Sequence, residues 1–358
     1  MIIIYGHTQD SVNNGITVII QQIFFMKNSM LFLLFLLSPT LKILSQTDVG
    51  ENELSFQDIY LFKSAKTQKM LEVEDGVFNH GTKVQQYFPY SRNGLADGHG
   101  QQWMLIPAGR RDNHPVFYII NYGFLKYLDS QLPLVVSDGS DADNLLWTVQ
   151  RMGSNFMIKS FLANQYVEIP AGSTNDGDAF SMASFTGQLN QQFIMTRYVG
   201  QTGPPSALVN QFVNITPAFN DNKALDATGT ADRNGVQLTI KNRINGEPKI
   251  QWQIQLNSNQ YQVKPKIALG KCMEDLSFSS TDGGAIGVWD CIGNAPALNQ
   301  KWIIMPVVRQ SGKYIFFNRF SGRCLTVSGG TSGTDGTPIV QFTYADRENS
   351  RWKISSAR

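Results

Sequence analysis

The sequence predicts an all-β chain of two domains, each built from three short repeats. Three observations carry this reading. Charged residues make up 16% of the chain, while glycine numbers 31 and Phe, Tyr and Trp together reach 11%. A Gln or Asn followed closely by a large aromatic recurs six times. A second, shorter signature opens the unit that each of these motifs closes. Few charges, many glycines and many aromatics suit short strands joined by tight turns, not a helical bundle or a disordered chain.

At 358 residues the chain has room for two domains, each able to bury its own core. The formal net charge is +2, and no run of Lys or Arg forms a patch, so no nucleic-acid partner is expected. The four histidines, His7, His80, His99 and His114, show no metal-ligand spacing and flank no nucleophile motif. No cofactor, no metal and no enzymatic activity are expected.

Met30–Leu37 is an apolar run with Lys27 before it and Ser38-Pro39 after it. With the small residue Ser45 downstream, it reads as a signal peptide that starts at Met26 and is cleaved near Ser45 or Gln46. Residues 1–25 then form an upstream extension. The alternative is a membrane anchor over 16–37, which Gln21, Gln22, Lys27 and Asn28 interrupt. The expected product is secreted or held at the cell surface, with no membrane span in the mature chain. Three cysteines suit export. Cys272 and Cys291 lie in one repeat and pair as a disulfide in an oxidising compartment, or else all three are reduced, buried thiols.

The closing motifs are Gln101-Gln-Trp103, Asn144-Leu-Leu-Trp147, Asn190-Gln-Gln-Phe193, Gln251-Trp252, Gln300-Lys-Trp302 and Asn349-Ser-Arg-Trp352. Their aromatics are 44 and 46 residues apart in the first half, and 50 and 50 in the second. Between the halves the gap is 59, and the extra length holds Gly200-Gln-Thr-Gly-Pro-Pro205. That stretch reads as a linker, 199–210, across which few contacts are expected. The opening motifs are Lys69-Met-Leu-Glu72, Lys126-Tyr-Leu-Asp129, Gln165-Tyr-Val-Glu168, Lys223-Ala-Leu-Asp226, Lys271-Cys-Met-Glu274 and Arg323-Cys-Leu-Thr326. Alternating strands follow, as in Gly81–Tyr87, Gly235–Leu238 and Gly336–Phe342. No unit of this size buries a face alone. Three units closing around a pseudo-threefold axis bury their cores and hide most strand edges.

Six paired motifs in two spaced triplets resemble the ricin B-type lectin family of β-trefoils, whose diagnostic motif is Gln-x-Trp. The resemblance covers about 54–198 and 211–358, and it is stronger in the second half. It implies two tandem β-trefoil domains and an intra-repeat disulfide, Cys272–Cys291. It also implies carbohydrate binding, with glycans or polysaccharide as partners.

A sugar offers hydroxyls and an apolar C–H face, so a site combines a carboxylate, an amide and a ring. The resemblance takes the acid from the opening motif, the ring from the end of the alternating strand, an Asn shortly after, and the closing Gln as support. In the fifth unit these are Glu274, Trp289, Asn294 and Gln300, with Ile292 where Asn is expected. In the fourth, Asp226, Asn242 and Gln251 match, and the ring place holds Thr239. In the first, Glu72, Tyr87 and Gln101 match. The sixth offers Asp346, with Thr326 for the acid and Thr343 for the ring; the second keeps Asp129, and neither the second nor the third has an aligned ring. Trp103, Trp147, Trp252, Trp302 and Trp352 read as core, and Trp289 as an exposed platform. The leading function is non-catalytic carbohydrate binding. The alternatives are a degenerate β-trefoil scaffold for protein–protein adhesion or inhibition, or an accessory carbohydrate-binding component of a polysaccharide-degrading system.

Overall fold

The computed structural model describes residues 46–357, apart from 51–52, 75–78, 91–98, 199–201, 230–232, 258 and 294–296. The leader, Asn294 and the first residues of the linker lie outside the described residues. Among the described residues the helical pieces are three-residue 3-10 turns, and the rest is strand and loop. No helix among them is long and apolar enough to cross a membrane.

Each half is a closed six-stranded barrel. In the first, Ile59–Ser64 pairs Phe193–Tyr198, which pairs Asn155–Ser160, then Leu146–Met152, His114–Asn121 and Trp103–Arg111. Trp103–Arg111 returns to Ile59–Ser64 and closes the ring. In the second, the circuit runs Phe212–Pro217, Gln251–Asn257, Gln260–Pro265, Trp302–Pro306, Lys313–Asn318 and Trp352–Ser356, and back to Phe212–Pro217. Three hairpins cap each barrel. They are Met70–Val73 with Thr82–Tyr87, Tyr127–Asp129 with Val135–Ser137, and Tyr166–Glu168 with Ser181–Ala183 in the first half. In the second they are Lys223–Asp226 with Thr239–Asn242, Lys271–Asp275 with Ile286–Asp290, and Cys324–Val327 with Ile339–Phe342. A six-stranded barrel under three hairpins is a β-trefoil, and the chain holds two.

The five closing tryptophans sit fully buried under their units. Each indole donates to a backbone carbonyl of its own opening strand: Trp103 to Leu71, Trp147 to Leu128, Trp252 to Leu225, Trp302 to Met273 and Trp352 to Leu325. Phe193 closes the third unit without a donor. Cys272 and Cys291 form a disulfide, and Cys324 is a free, buried thiol.

The expectation of few contacts between the halves is overturned. Trp302–Pro306 and Lys313–Asn318 are apolar on both faces. Trp302, Ile304, Tyr314 and Phe316 fill the core of the second barrel, while Ile303, Met305, Ile315 and Phe317 join the first half's core cluster. Gln57 of the first half crosses to the second, accepting from Ile304 N at 3.1 Å and donating to Ile304 O at 2.7 Å. The Arg319 guanidinium stacks 4.1 Å from the Phe56 ring centroid. Arg323, buried, joins Asp141 of the first half to Asp282 of the second. At Gly139 an added Cβ would lie 1.8 Å from Tyr344 O, so only glycine permits this approach. A Gly/Pro stretch between domains does not by itself mean an open interface, because the apolar faces beyond it still have to be covered.

Cleaving an engineered protease site placed within 199–201 should therefore leave the halves associated and melting together. Size-exclusion chromatography and calorimetry of the nicked protein check this; two separate, independently melting fragments would contradict it. Gln57→Ala, which strands the buried Ile304 amide and carbonyl, should lower stability by about 1–3 kcal/mol in urea denaturation.

Candidate functional site

Strand register places the site residues. In the fifth unit Cys272 stands opposite Trp289, and Glu274 opposite Gly287. Side chains alternate along a strand, so Glu274 and Trp289 share one face of the hairpin. The Trp289 ring is 45% exposed, against 0% for Trp302. Gln300 comes up from the closing turn and clamps the arrangement. Its Nε2 donates to Glu274 Oε2 at 2.8 Å and to Asp290 O at 3.0 Å, while its Oε1 accepts from Ile292 N at 3.0 Å. One amide thus ties the acid to the backbone that follows the ring.

The first unit repeats this geometry. Gln101 Nε2 donates to Glu72 Oε2 at 2.6 Å and to Phe88 O at 2.9 Å, and its Oε1 accepts from Tyr90 N at 3.4 Å. Tyr87 takes the ring place, opposite Met70, and it is joined by Phe88 and Tyr90 within 6 Å between centroids. Tyr90 Oη donates to Glu72 Oε1 at 3.2 Å. Phe88, 46% exposed, presents its ring to solvent.

The third unit, which lacks an aligned ring, carries the same clamp. Gln191 Nε2 donates to Glu168 Oε2 at 3.1 Å and to Ser184 O at 2.8 Å, and its Oε1 accepts from Thr186 N at 2.8 Å. Asn190 Nδ2 also reaches Glu168 Oε2, at 3.1 Å. The ring place holds Ala183, and the exposed Phe185 lies two residues on, against Tyr166. The signal was in plain view: Gln191-Gln-Phe193 has the Gln-x-aromatic spacing.

The fourth unit does not assemble as expected. Gln251 is adjacent to Trp252, so it occupies the intervening place, and buried Ile250 stands where a clamping Gln would be. Gln251 accepts from Lys266 at 2.6 Å, away from Asp226. Asp226 is taken by Thr228 and, at 3.4 Å, by Lys241. Asn242 accepts from Lys223. The ring place, opposite Ala224, belongs to Lys241 and not to Thr239. In the sixth unit the ring place, opposite Cys324, belongs to Phe342, 38% exposed, and not to Thr343. There a hydroxyl pair, Thr326 with Ser350 at 2.9 Å, replaces the acid and amide, and Asp346 pairs with Arg351. In the second unit Asp129 is buried and accepts from Asn144 and Gln131, with Ser137 in the ring place.

Asn294 lies outside the described residues, and beside Gln300 stands a buried amide, Asn299, that serves the backbone. Asn299 Nδ2 donates to Asp275 O at 3.1 Å, just as Asn190 reaches Ile169 O and Asn349 reaches Val327 O. Burial pushes the Glu274 carboxyl above its usual range, against the pull of the Gln300 and Asn299 amides. Asp275, one residue on, faces the core and is fully buried. Burial, reinforced by the Glu274 charge, pushes its carboxyl up to about 8, with Arg323 and the Ser279 amide pulling the other way.

A family description, ricin-type β-trefoil lectin domain-like, matches residues 248–342 and 298–358. No match was found among curated proteins by sequence. Among solved structures, a designed 3-fold symmetric protein, ThreeFoil, is 22% identical over 40% of this chain and 98% of its own, with a TM-score of 0.36. A ricin B-like lectin of Macrolepiota procera, solved with lactose, is 16% identical over 41% of this chain and 96% of its own, at 0.35. A mosquitocidal holotoxin is 16% identical over 83% of this chain, at 0.39, and this chain spans 34% of its length.

Asp275 gives a pH prediction. A carboxyl whose pKa is raised by folding costs nothing below about pH 4, where both states are protonated, and its cost grows as pH rises toward 8. Asp275→Asn should therefore raise the melting temperature near pH 9 and change it little near pH 4, read by calorimetry at about those two pH values. An equal gain at both would place the effect in packing rather than charge.

Proposed function

We propose that this chain, whose residues 248–342 and 298–358 match the ricin-type β-trefoil lectin domain-like family, is a secreted, non-catalytic carbohydrate-binding protein. The observation that carries the reading is the fifth unit: an exposed Trp289 on the same hairpin face as Glu274, with the acid fixed by Gln300. The ring takes the apolar face of a sugar, and the fixed carboxylate and neighbouring amides take its hydroxyls. The first unit, with Glu72, Gln101 and Tyr87, offers a second site of the same make. A single shallow site of this kind binds in the millimolar range, about −4 kcal/mol. Two on one chain gain when a multivalent glycan engages both. Export through the leader that starts at Met26 is consistent with the Cys272–Cys291 disulfide, since such bonds persist in oxidising compartments.

A second reading, a scaffold for protein–protein adhesion or inhibition, is favoured by the ring places of the second, third and fourth units. Ser137, Ala183 and Lys241 stand there in place of aromatics. An accessory role in a polysaccharide-degrading system uses the same sugar sites and differs only in partner.

The test is a glycan array probed with material secreted from Met26, whose N-terminus should lie near Gln46, alongside Trp289→Ala and Trp302→Ala. Trp289→Ala should cost about 1–3 kcal/mol in binding, as loss of an aromatic platform does, and under about 0.5 kcal/mol in stability. Trp302→Ala, which empties a core position, should cost about 3–5 kcal/mol in stability. A blank array with a protein partner recovered in its place selects the scaffold.

A further inference from the structure

In the second half, the base that opens each unit reaches the Asp-Gly or Asn-Gly turn of a neighbour. Lys223 of the fourth unit bonds Asp335 of the sixth at 2.5 Å. Arg323 of the sixth bonds Asp282 of the fifth at 2.8 Å. Lys271 of the fifth bonds Asn234 of the fourth at 2.8 Å. These contacts run once around the pseudo-threefold axis and lock each hairpin to the next.

At the join of the fourth and fifth units the contact goes further. Asn234 Oδ1 also accepts from Asp290 N at 2.9 Å, and its Nδ2 donates to Asp290 Oδ2 at 2.8 Å. Lys271 Nζ closes the set on Asp290 Oδ1 at 2.9 Å. Gly235 N donates to Val288 O at 2.9 Å, and Val236 stands opposite Val288. The turn of the fourth unit therefore grips residues 288 and 290, one on each side of Trp289. It also lies close beside the ring: a Cβ added to Gly235 would be in van der Waals contact with Trp289 Cζ3, at 3.5 Å. Gly235 adopts φ +76°, which keeps the turn close to the ring and which a larger residue adopts only with strain. Trp289 is thus braced from a different repeat than the one supplying Glu274 and Gln300.

We propose that Asn234 and Gly235, carried by the fourth unit, are the positioning residues for the Trp289 ring in the fifth unit's site. The proposal rests on Trp289 being the ring that stacks on sugar. Its consequence is that the fifth unit's site is shared between two repeats, so a fifth unit beside a different neighbour would hold its ring loosely.

The test uses the full mature chain with Asn234→Ala, Asn234→Asp and the double variant Asn234→Ala/Trp289→Ala. Asp keeps the two bonds that Asn234 accepts, from Asp290 N and Lys271, but sets a carboxylate oxygen against Asp290 Oδ2 in place of the donor, so it opposes the brace by charge where Ala opposes it by truncation. Trp289 emission is isolated by subtracting the matching Trp289→Phe protein, and its order is read by anisotropy and acrylamide quenching. Lactose affinity is read by titration. Asn234→Ala should lower the anisotropy of Trp289, raise its quenching, and weaken lactose about tenfold, a coupling of about 1.4 kcal/mol. The melting temperature should hold, Asn234→Asp should loosen the ring as well, and Asn234→Ala should do nothing further once Trp289 is gone. Unchanged Trp289 anisotropy and quenching in Asn234→Ala would overturn the proposal. If wild type fails to bind lactose, the sugar reading fails for that ligand, and the ring measurements alone still decide the positioning role.

Discussion

Each closing indole spends its one donor on the carbonyl just before the acid place of its own unit. Leu71 precedes Glu72, Leu128 precedes Asp129, Leu225 precedes Asp226, Met273 precedes Glu274 and Leu325 precedes Thr326. The bonds measure 2.8–3.0 Å and lie in the core, where a stranded N–H or C=O costs about 1–3 kcal/mol. The same residue therefore fills the barrel and fixes the strand on which the site begins. Two residues before the closing aromatic, whether Trp103, Phe193 or Trp302, Gln101, Gln191 and Gln300 reach the acid itself. Core and site are consecutive side chains of one turn, so the fold delivers the acid, amide and ring to one place whenever the residues are present.

The two trefoils do not stand apart. Their join is made by strands that are apolar on both faces, with one face given to each core. The cost of ordering the linker is offset by this burial, and Gln57 and Arg323 satisfy polar groups that the burial would otherwise strand. An arrangement of this kind holds the first and fifth units at a fixed separation.

Much of this was legible in the amino-acid sequence, because a repeat announces itself six times. The barrels and the buried tryptophans follow from the paired motifs; the exposed Trp289 and the Cys272–Cys291 bond follow from the family resemblance that those motifs carry. The misreadings are errors of phase. Gln251-Trp252 looks like a closing motif, but without an intervening residue its Gln faces Lys266 and Ile250 takes the clamping place. Sequence spacing puts the ring positions at Thr239 and Thr343; register gives those places to Lys241 and Phe342, one or two residues away, and in a strand a slip of one reverses the face. The domain interface had a signal too. Trp302-Ile-Ile-Met305 and Tyr314-Ile-Phe-Phe317 do not alternate, whereas Gln251–Asn257 does, and an unbroken apolar run in a barrel strand asks for a second partner. The brace from Asn234 had no such signal, since it depends on which turn meets which hairpin across the threefold axis.

The central claim is that, in the five units closed by Trp, the indole N–H adds to ring bulk in holding the opening strand and its acid place, whereas the third unit, closed by Phe193, keeps its clamp by packing and by Asn190 and Gln191. Trp302→Phe tests it most directly, because Phe keeps an aromatic ring in the core and removes the donor to Met273 O. Hydrogen–deuterium exchange would be followed over Lys271–Asp275, alongside urea denaturation. The expected result is faster exchange in that strand, beyond what its neighbours show, with a stability loss of at least about 1–3 kcal/mol. Exchange that rises uniformly across the second half, or not at all, would mean that packing alone holds the strand and would contradict the account.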